Sequence, residues 1–177
     1  MKYHKPNILV TGFPGVGKTT LIQRVIENLC SHRPVGFYTE EIREGGSRVG
    51  FGLTTLDGRR QILSHVTIKG SHRVGRYGVD VAGFEKLLDT MDLTKASNRP
   101  VIVDEIGKME CLSGKFQRWL QKHLDAQTLL IATIAMKGGG LIESVKRRHD
   151  VELLTLTRQN QDALLEKIVA RAEAALS

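Results

Sequence analysis

Cysteine is scarce in this chain of 177 residues, with only Cys30 and Cys111. They stand far apart and in no metal-ligand spacing. A disulfide scaffold and a cysteine metal centre are excluded, and a reducing, cytoplasmic compartment is expected. Long apolar runs are missing too. No stretch approaches the 18 residues or so that a membrane-spanning helix needs. The opening Met1–Pro6 leads straight into a strand-like run, which is expected to leave no room for a signal peptide. Repeats, low-complexity tracts and linkers are absent, so a solenoid or a flexible multidomain chain is excluded. Aromatic residues make up 5% of the chain, and none interleaves with its densest basic cluster, Lys146-Arg147-Arg148-His149. That disfavours a nucleic-acid groove, although a net charge of +7 and a pI near 9.6 keep nucleic acid among the possible partners. A positive field also suits an enzyme whose substrate is a polyanionic nucleotide. The histidines, at 4, 32, 65, 72, 123 and 149, form no ligand constellation.

What is present is a globular composition, 41% hydrophobic and 25% charged, in a length that suits one domain spanning 1–177. Its most informative segment is Gly12-Phe13-Pro14-Gly15-Val16-Gly17-Lys18-Thr19. An apolar strand, Asn7–Thr11, precedes it. Leu21, Ile22, Val25, Ile26 and Leu29 follow at helical spacing. Strand, G-x-x-x-x-G-K-[ST], then helix is the setting of a phosphate-binding loop. Backbone N–H groups converge on an oxyanion there, and the helix dipole points the same way. Lys18 is placed to meet the β- and γ-phosphates, and the Thr19 hydroxyl to ligate Mg²⁺. Thr20 is read as a helix-surface residue at the margin of the site.

Both ends of the chain alternate strand and helix, which predicts a mostly parallel sheet with helices on both faces. Buried strands are expected at Val101–Val103 and Thr128–Thr133, with helices over Ser113–Leu124, Leu141–Arg148 and Gln161–Ala175. Ser113 reads as a helix cap. A polar loop is expected from Thr94 to Arg99. The middle differs. Glu44-Gly45-Gly46-Ser47 and Asp57-Gly58 are tight-turn signals between strand-like runs, so about 35–81 reads as antiparallel strands inserted after the first helix and extending the same sheet at one edge.

Asp104-Glu105 ends the buried run Val101-Ile102-Val103. A carboxylate at the carboxyl edge of a parallel sheet, beside a phosphate loop, is the acidic half of a nucleotide site. Asp104 is expected to hold Mg²⁺ opposite Thr19. Glu105, directly after it, is placed to take a proton from an attacking water, which favours hydrolysis. Thr133 ends the next strand at the same edge, either touching the γ-phosphate or satisfying strand-end backbone. Arg147 and Arg148 are candidates for neutralising transition-state charge, although such a pair is more often a solvated helix end. Arg76 is a weaker candidate. The loop Thr157–Asn160 lies where it can approach a base. Alternation puts Thr39 and Arg43 on one face of their strand and Glu40 on the other; Glu40 or Arg43 lines the site, or the segment is simply a charged edge strand.

Three stretches, G-F-P-G-V-G-K-T-T-L-I from Gly12, G-F-Y-T-E-E-I-R-E-G-G from Gly36 and V-D-E-I-G-K-M-E from Val103, resemble a family of small P-loop nucleoside-triphosphatases. It is known from thermophilic microbes and animals, the human cancer-related nucleoside-triphosphatase type. The likeness runs over nearly the full chain. It implies a RecA-like P-loop NTPase fold and Mg²⁺-dependent hydrolysis of ATP, GTP, CTP and UTP to diphosphate and phosphate. It also implies nucleotide contacts from the phosphate loop and from Val101-Ile102-Val103-Asp104-Glu105-Ile106-Gly107-Lys108. Phe13 departs from a proline usual in the loop, and Cys111-Leu112 from a Leu-Phe pair. Two other readings stay open. A small-molecule or nucleotide kinase fits the size, but only Lys146–Arg148 resembles the arginine-rich lid such enzymes carry. A nucleotide-driven module binding RNA or protein rests on the basic pI alone. The sequence leaves the oligomeric state open.

Overall fold

The computed structural model describes residues 7–91, 99–126 and 128–177. The expected loop at Thr94–Arg99 falls, but for Arg99, outside them. In chain order the elements are β1 (Asn7–Thr11), α1 (Lys18–Asn28), β2 (Val35–Glu44), β3 (Ser47–Thr55), β4 (Arg60–His65), β5 (Arg73–Val74), β6 (Tyr77–Val79), α2 (Val81–Thr90), β7 (Val101–Ile106), α3 (Gly114–Asp125), β8 (Leu130–Ile134), α4 (Leu141–Lys146), β9 (Val151–Thr155) and α5 (Gln161–Leu176). All nine strands form one sheet in the order β5-β6-β4-β3-β2-β7-β8-β1-β9. From β2 to β9 every neighbouring pair is parallel; from β2 outward to β5 every pair is antiparallel.

The expected α/β architecture is therefore present: a mostly parallel core flanked by helices, continued at one edge by antiparallel strands. The boundary between the two parts differs from the expectation in one respect. β2 is not merely the first inserted strand. Its start, Val35 to Phe37, pairs in parallel with Val101 to Val103, while its length from Phe37 to Glu44 pairs antiparallel with β3. Hairpin signals are local and reveal the antiparallel partner; the parallel partner is about 65 residues away in sequence and leaves no local mark. Gly36 makes this seam possible. It takes φ +130°, and a Cβ built there would stand 1.8 Å from the carbonyl oxygen of Ile102.

Two apolar layers cover the sheet. On one face α2 and α3 pack Phe84, Leu87, Leu88, Phe116 and Leu120 against Phe37, Leu53, Val101 and Val103. Phe37 meets the edges of Phe84 and Phe116 at centroid distances of 5.7 and 6.2 Å, an arrangement that stabilises aromatic clusters beyond their burial. On the other face α1 and α5 bring Leu21, Ile22, Val25, Leu165 and Ile168 onto Ile8, Val10, Ile102 and Ile131. The helical spacing after Thr19 thus becomes the buried face of α1. Ser113 caps α3 as expected, its Oγ accepting from the Phe116 N–H at 2.9 Å.

Candidate active site

The carboxyl ends of β1, β7 and β8 and the middle of β2 surround one cleft of ≈ 950 Å³. Gly12, Pro14, Gly15, Gly17, Lys18, Thr19 and Thr20 form one wall of it. Gly15 and Gly17 sit at φ +76° and +104°, so the loop turns its amides inward in a conformation that side-chain-bearing residues resist. The Lys18 ammonium donates to the Gly12 carbonyl at 3.1 Å, which holds it across the loop mouth. Behind the loop, the Gln161 side-chain amide donates to the Val16 carbonyl at 3.0 Å, tying α5 to the cradle.

Asp104 lies under the loop with no exposed surface. Three hydroxyls donate to its carboxylate: Thr19 at 2.7 Å and Thr39 at 3.2 Å to Oδ2, and Thr133 at 2.5 Å to Oδ1. They come from α1, β2 and β8, so Asp104 ties together three elements that are distant in sequence. Hydroxyl and carboxylate oxygens are the hard donors Mg²⁺ prefers, with its remaining positions left for water and phosphate. Among the described residues no group of three or more His, Cys, Asp or Glu could hold a metal ion.

Glu105 follows where the β7–β8 register breaks between Val103 and Ile106, and bulges of this kind re-aim side chains at sites. Its side chain lines the cleft. Burial pushes its carboxyl above the usual range, the Lys18 ammonium opposes that shift, and the Asp104 carboxylate adds to it. A carboxylate with raised basicity beside a phosphate cradle is suited to accept a proton from water. Next to it a side cavity of ≈ 250 Å³ opens, lined by Leu63, Val74, Gly107, Lys108, Met109 and Glu110 among others. Glu110 is 5% exposed, and burial raises its carboxyl to about 8. A Cβ on Gly107 would stand 2.8 Å from Glu110 Oε2 and 3.5 Å from Glu105 Oε1, so this glycine keeps open the space both carboxyls use.

The expected residues divide by position. The loop from Gly12 to Thr20, Asp104, Glu105 and Thr133 converge, except that Phe13 points outward at 70% exposure and Val16 does not line the cleft. Val101, Ile102, Val103 and Ile106 are buried in the sheet and line neither the cleft nor the side cavity; Gly107 and Lys108 line the side cavity. Thr133 spends its hydroxyl on Asp104 and not on open cleft. Arg147 and Arg148 are not brought to the cleft. Arg148 is engaged by Asp150 and Asp125, each at 2.7 Å, on the side of the sheet edge where α4 meets β9, and Arg147 is exposed. Arg76 binds the Arg48 carbonyl and lies outside the cleft. Of the pair left open on β2, Glu40 lines the cleft and accepts from Thr54 at 2.9 Å, whereas Arg43 pairs with Glu41. Thr39, Arg48, Phe51, Met136 and Lys137 are lining residues that the sequence did not single out. Only strand order brings them here, and no local motif announces it.

The whole chain has relatives. The family model described as NTPase matches residues 7–169. Nucleoside-triphosphatase THEP1 of Thermotoga maritima is 41% identical, over 92% of this chain and 93% of that one. The cancer-related nucleoside-triphosphatase of Homo sapiens is also 41% identical, over 92% and 94%. The crystal structure of THEP1 from Aquifex aeolicus superposes with a TM-score of 0.86 at 36% identity, covering 94% of this chain and 99% of that one.

Proposed function

The chain belongs to this nucleoside-triphosphatase family, and from that premise we propose that it hydrolyses ATP, GTP, CTP and UTP with little base selectivity, with Mg²⁺, to the diphosphate and phosphate. The observation that carries the reading is the Thr19–Asp104 contact at 2.7 Å beneath the phosphate loop, with Glu105 on the adjoining wall. Loop amides and Lys18 bind the triphosphate tail, Thr19 and Asp104 would hold the Mg²⁺, and Glu105 takes the proton of the attacking water. When bound, the ion neutralises charge on the β- and γ-oxygens. Asp104 stays fixed by Thr39 and Thr133, which spares reorganisation as charge moves. The segment Thr157–Asn160 adjoins the Gln161 amide that holds the loop and lines neither cavity, so its part in holding a base rests on its place in the chain.

No helix among the described residues is long and apolar enough to cross a membrane. The two free cysteines, Cys30 exposed and Cys111 half-buried, support a cytoplasmic setting. A single domain over the full chain is the organisation that the continuous sheet favours.

Transfer of the γ-phosphoryl group to a bound hydroxyl compound is a second reading. One observation favours it: the cleft continues past Glu105 to Glu41, Arg48 and Phe51. Initial rates of phosphate release across the four triphosphates, with Mg²⁺ and then with chelator, and no acceptor present, separate the two. Release from all four at similar rates, abolished by chelator, supports the hydrolase. Negligible release without an added acceptor would sink it.

A further inference from the structure

Besides Lys18, two cationic side chains line the cleft: Arg48 and Lys137. Arg48 is already committed. Its guanidinium donates to Glu41 at 2.8 Å and to the Tyr77 hydroxyl at 3.1 Å, and lies 5.0 Å from the centre of the Phe51 ring. Lys137 is different. Its side chain is exposed, no ion pair to it exists among the described residues, and it borders both the main cleft and the side cavity. Both spaces meet at Glu105, so Lys137 and the proposed base face the same volume.

The backbone leading to Lys137 is held by hydrogen bonds. Before it, the Ala135 N–H donates to the Ile106 carbonyl at 3.1 Å, which ties the end of β8 to the end of β7. The Lys146 ammonium of α4 donates to the Met136 carbonyl at 2.7 Å. After it, Gly138 lies so close to Ile142 that an added Cβ would stand 2.5 Å from Ile142 Cδ1. A long cation with no ion pair among the described residues therefore stands shortly after the strand whose Thr133 holds Asp104. In phosphoryl transfer the transition-state charge is spread over the three equatorial oxygens of the γ-phosphorus, and enzymes of this kind place a cation there.

Resting on the hydrolase reading above, we propose that Lys137 is a catalytic residue that binds the γ-phosphoryl oxygens in the transition state. The water oxygen forms a bond to the γ-phosphorus, and the bond from phosphorus to the β–γ bridging oxygen breaks. The electron pair of the broken bond stays on the diphosphate, and the water proton passes to Glu105. Lys137 transfers no proton; its ammonium donates hydrogen bonds to the equatorial oxygens in the planar geometry they take only in the transition state. Lys18 remains on the β- and γ-phosphates in ground and transition states alike.

The test compares K137A, K137R and the unaltered protein in steady-state hydrolysis of ATP and in trapping of ADP with fluoroaluminate. K137A is expected to lower kcat by about 10²-fold with KM changed less than about threefold, the signature of an interaction made only in the transition state. It should bind ADP normally yet fail to trap the fluoroaluminate complex, and K137R should recover part of the rate. Because the side chain is exposed, its removal is expected to leave the melting temperature unchanged. An unchanged kcat and intact trapping in K137A, with the unaltered protein active, overturns the role of Lys137 and leaves the hydrolase reading standing. Failure of the unaltered protein to release phosphate from any triphosphate removes both.

Discussion

The two halves of the sheet obey different rules. In the parallel half, β1, β7 and β8 are buried along nearly their whole length, and apart from Asn7 their polar residues gather toward the carboxyl end. In the antiparallel half, β3 and β4 are partly exposed; they bury Thr54, Thr55 and Ser64, while charged residues such as Arg48 pair at the surface with Glu41 of β2. A strand buried on both faces can place a carboxylate only where it leaves the core, so Asp104, Glu105 and Thr133 are gathered at the edge. A half-exposed strand has no such constraint. The lesson is that the parallel half concentrates the proposed chemistry, while the antiparallel half supplies the far wall of the cleft.

The sharpest way to break this comparison is at Glu105. We expect E105Q to lower kcat by roughly 10²–10⁴-fold while nucleotide affinity holds, as for loss of a general base. Phosphate release and binding of a fluorescent ATP analogue would measure the two; a parent-like rate would remove Glu105 from the mechanism. Next in size is the packing where the halves join. F37A empties the site between Phe84 and Phe116 and is expected to cost about 3–5 kcal/mol, read from chemical denaturation.

Glu110 gives a pH test inside the parallel half. Its folded carboxyl is raised to about 8, above its ordinary value of 4.5. A raised acid contributes stability that is full below the unfolded value and is lost as pH rises through the folded one. Stability should therefore fall between about pH 4.5 and 8, by up to a few kcal/mol. E110Q, which stays neutral, should flatten that decline in melting curves taken from pH 5 to 9. Equal slopes for both proteins would mean that Glu110 ionises freely. The smallest effect is expected in the antiparallel half: E41A should shift stability by less than about 1 kcal/mol, since the two pairs it breaks, with Arg43 and Arg48, are exposed to solvent and screened. A larger loss would show that this half is more than a surface.

What the sequence made legible follows the same division. Asn7–Thr20 declares itself because a strand, a glycine loop and a helix start are all local, and Val101–Val103 because a β-branched run has few other uses. Ser113 could be read as a cap for the same reason. Thr39, Arg48 and Lys137 could not be found, because they meet the site only through the order β3-β2-β7-β8, which no local pattern encodes. Arg147 and Arg148 misled in the opposite direction. A basic cluster gives charge without direction, and here Asp125 and Asp150 claim Arg148. Glu110 was quoted within a motif without a role because burial, not identity, makes it unusual.

The oxygen of Ile102 lies where any side chain at position 36 would begin. A library randomised at that codon should return one amino acid. Every other choice would prise β2 from β7 and part the wall carrying Thr39 from the acid it touches. Position 36 is thus a hinge pin: remote from the nucleotide, small enough to overlook, and intolerant of replacement.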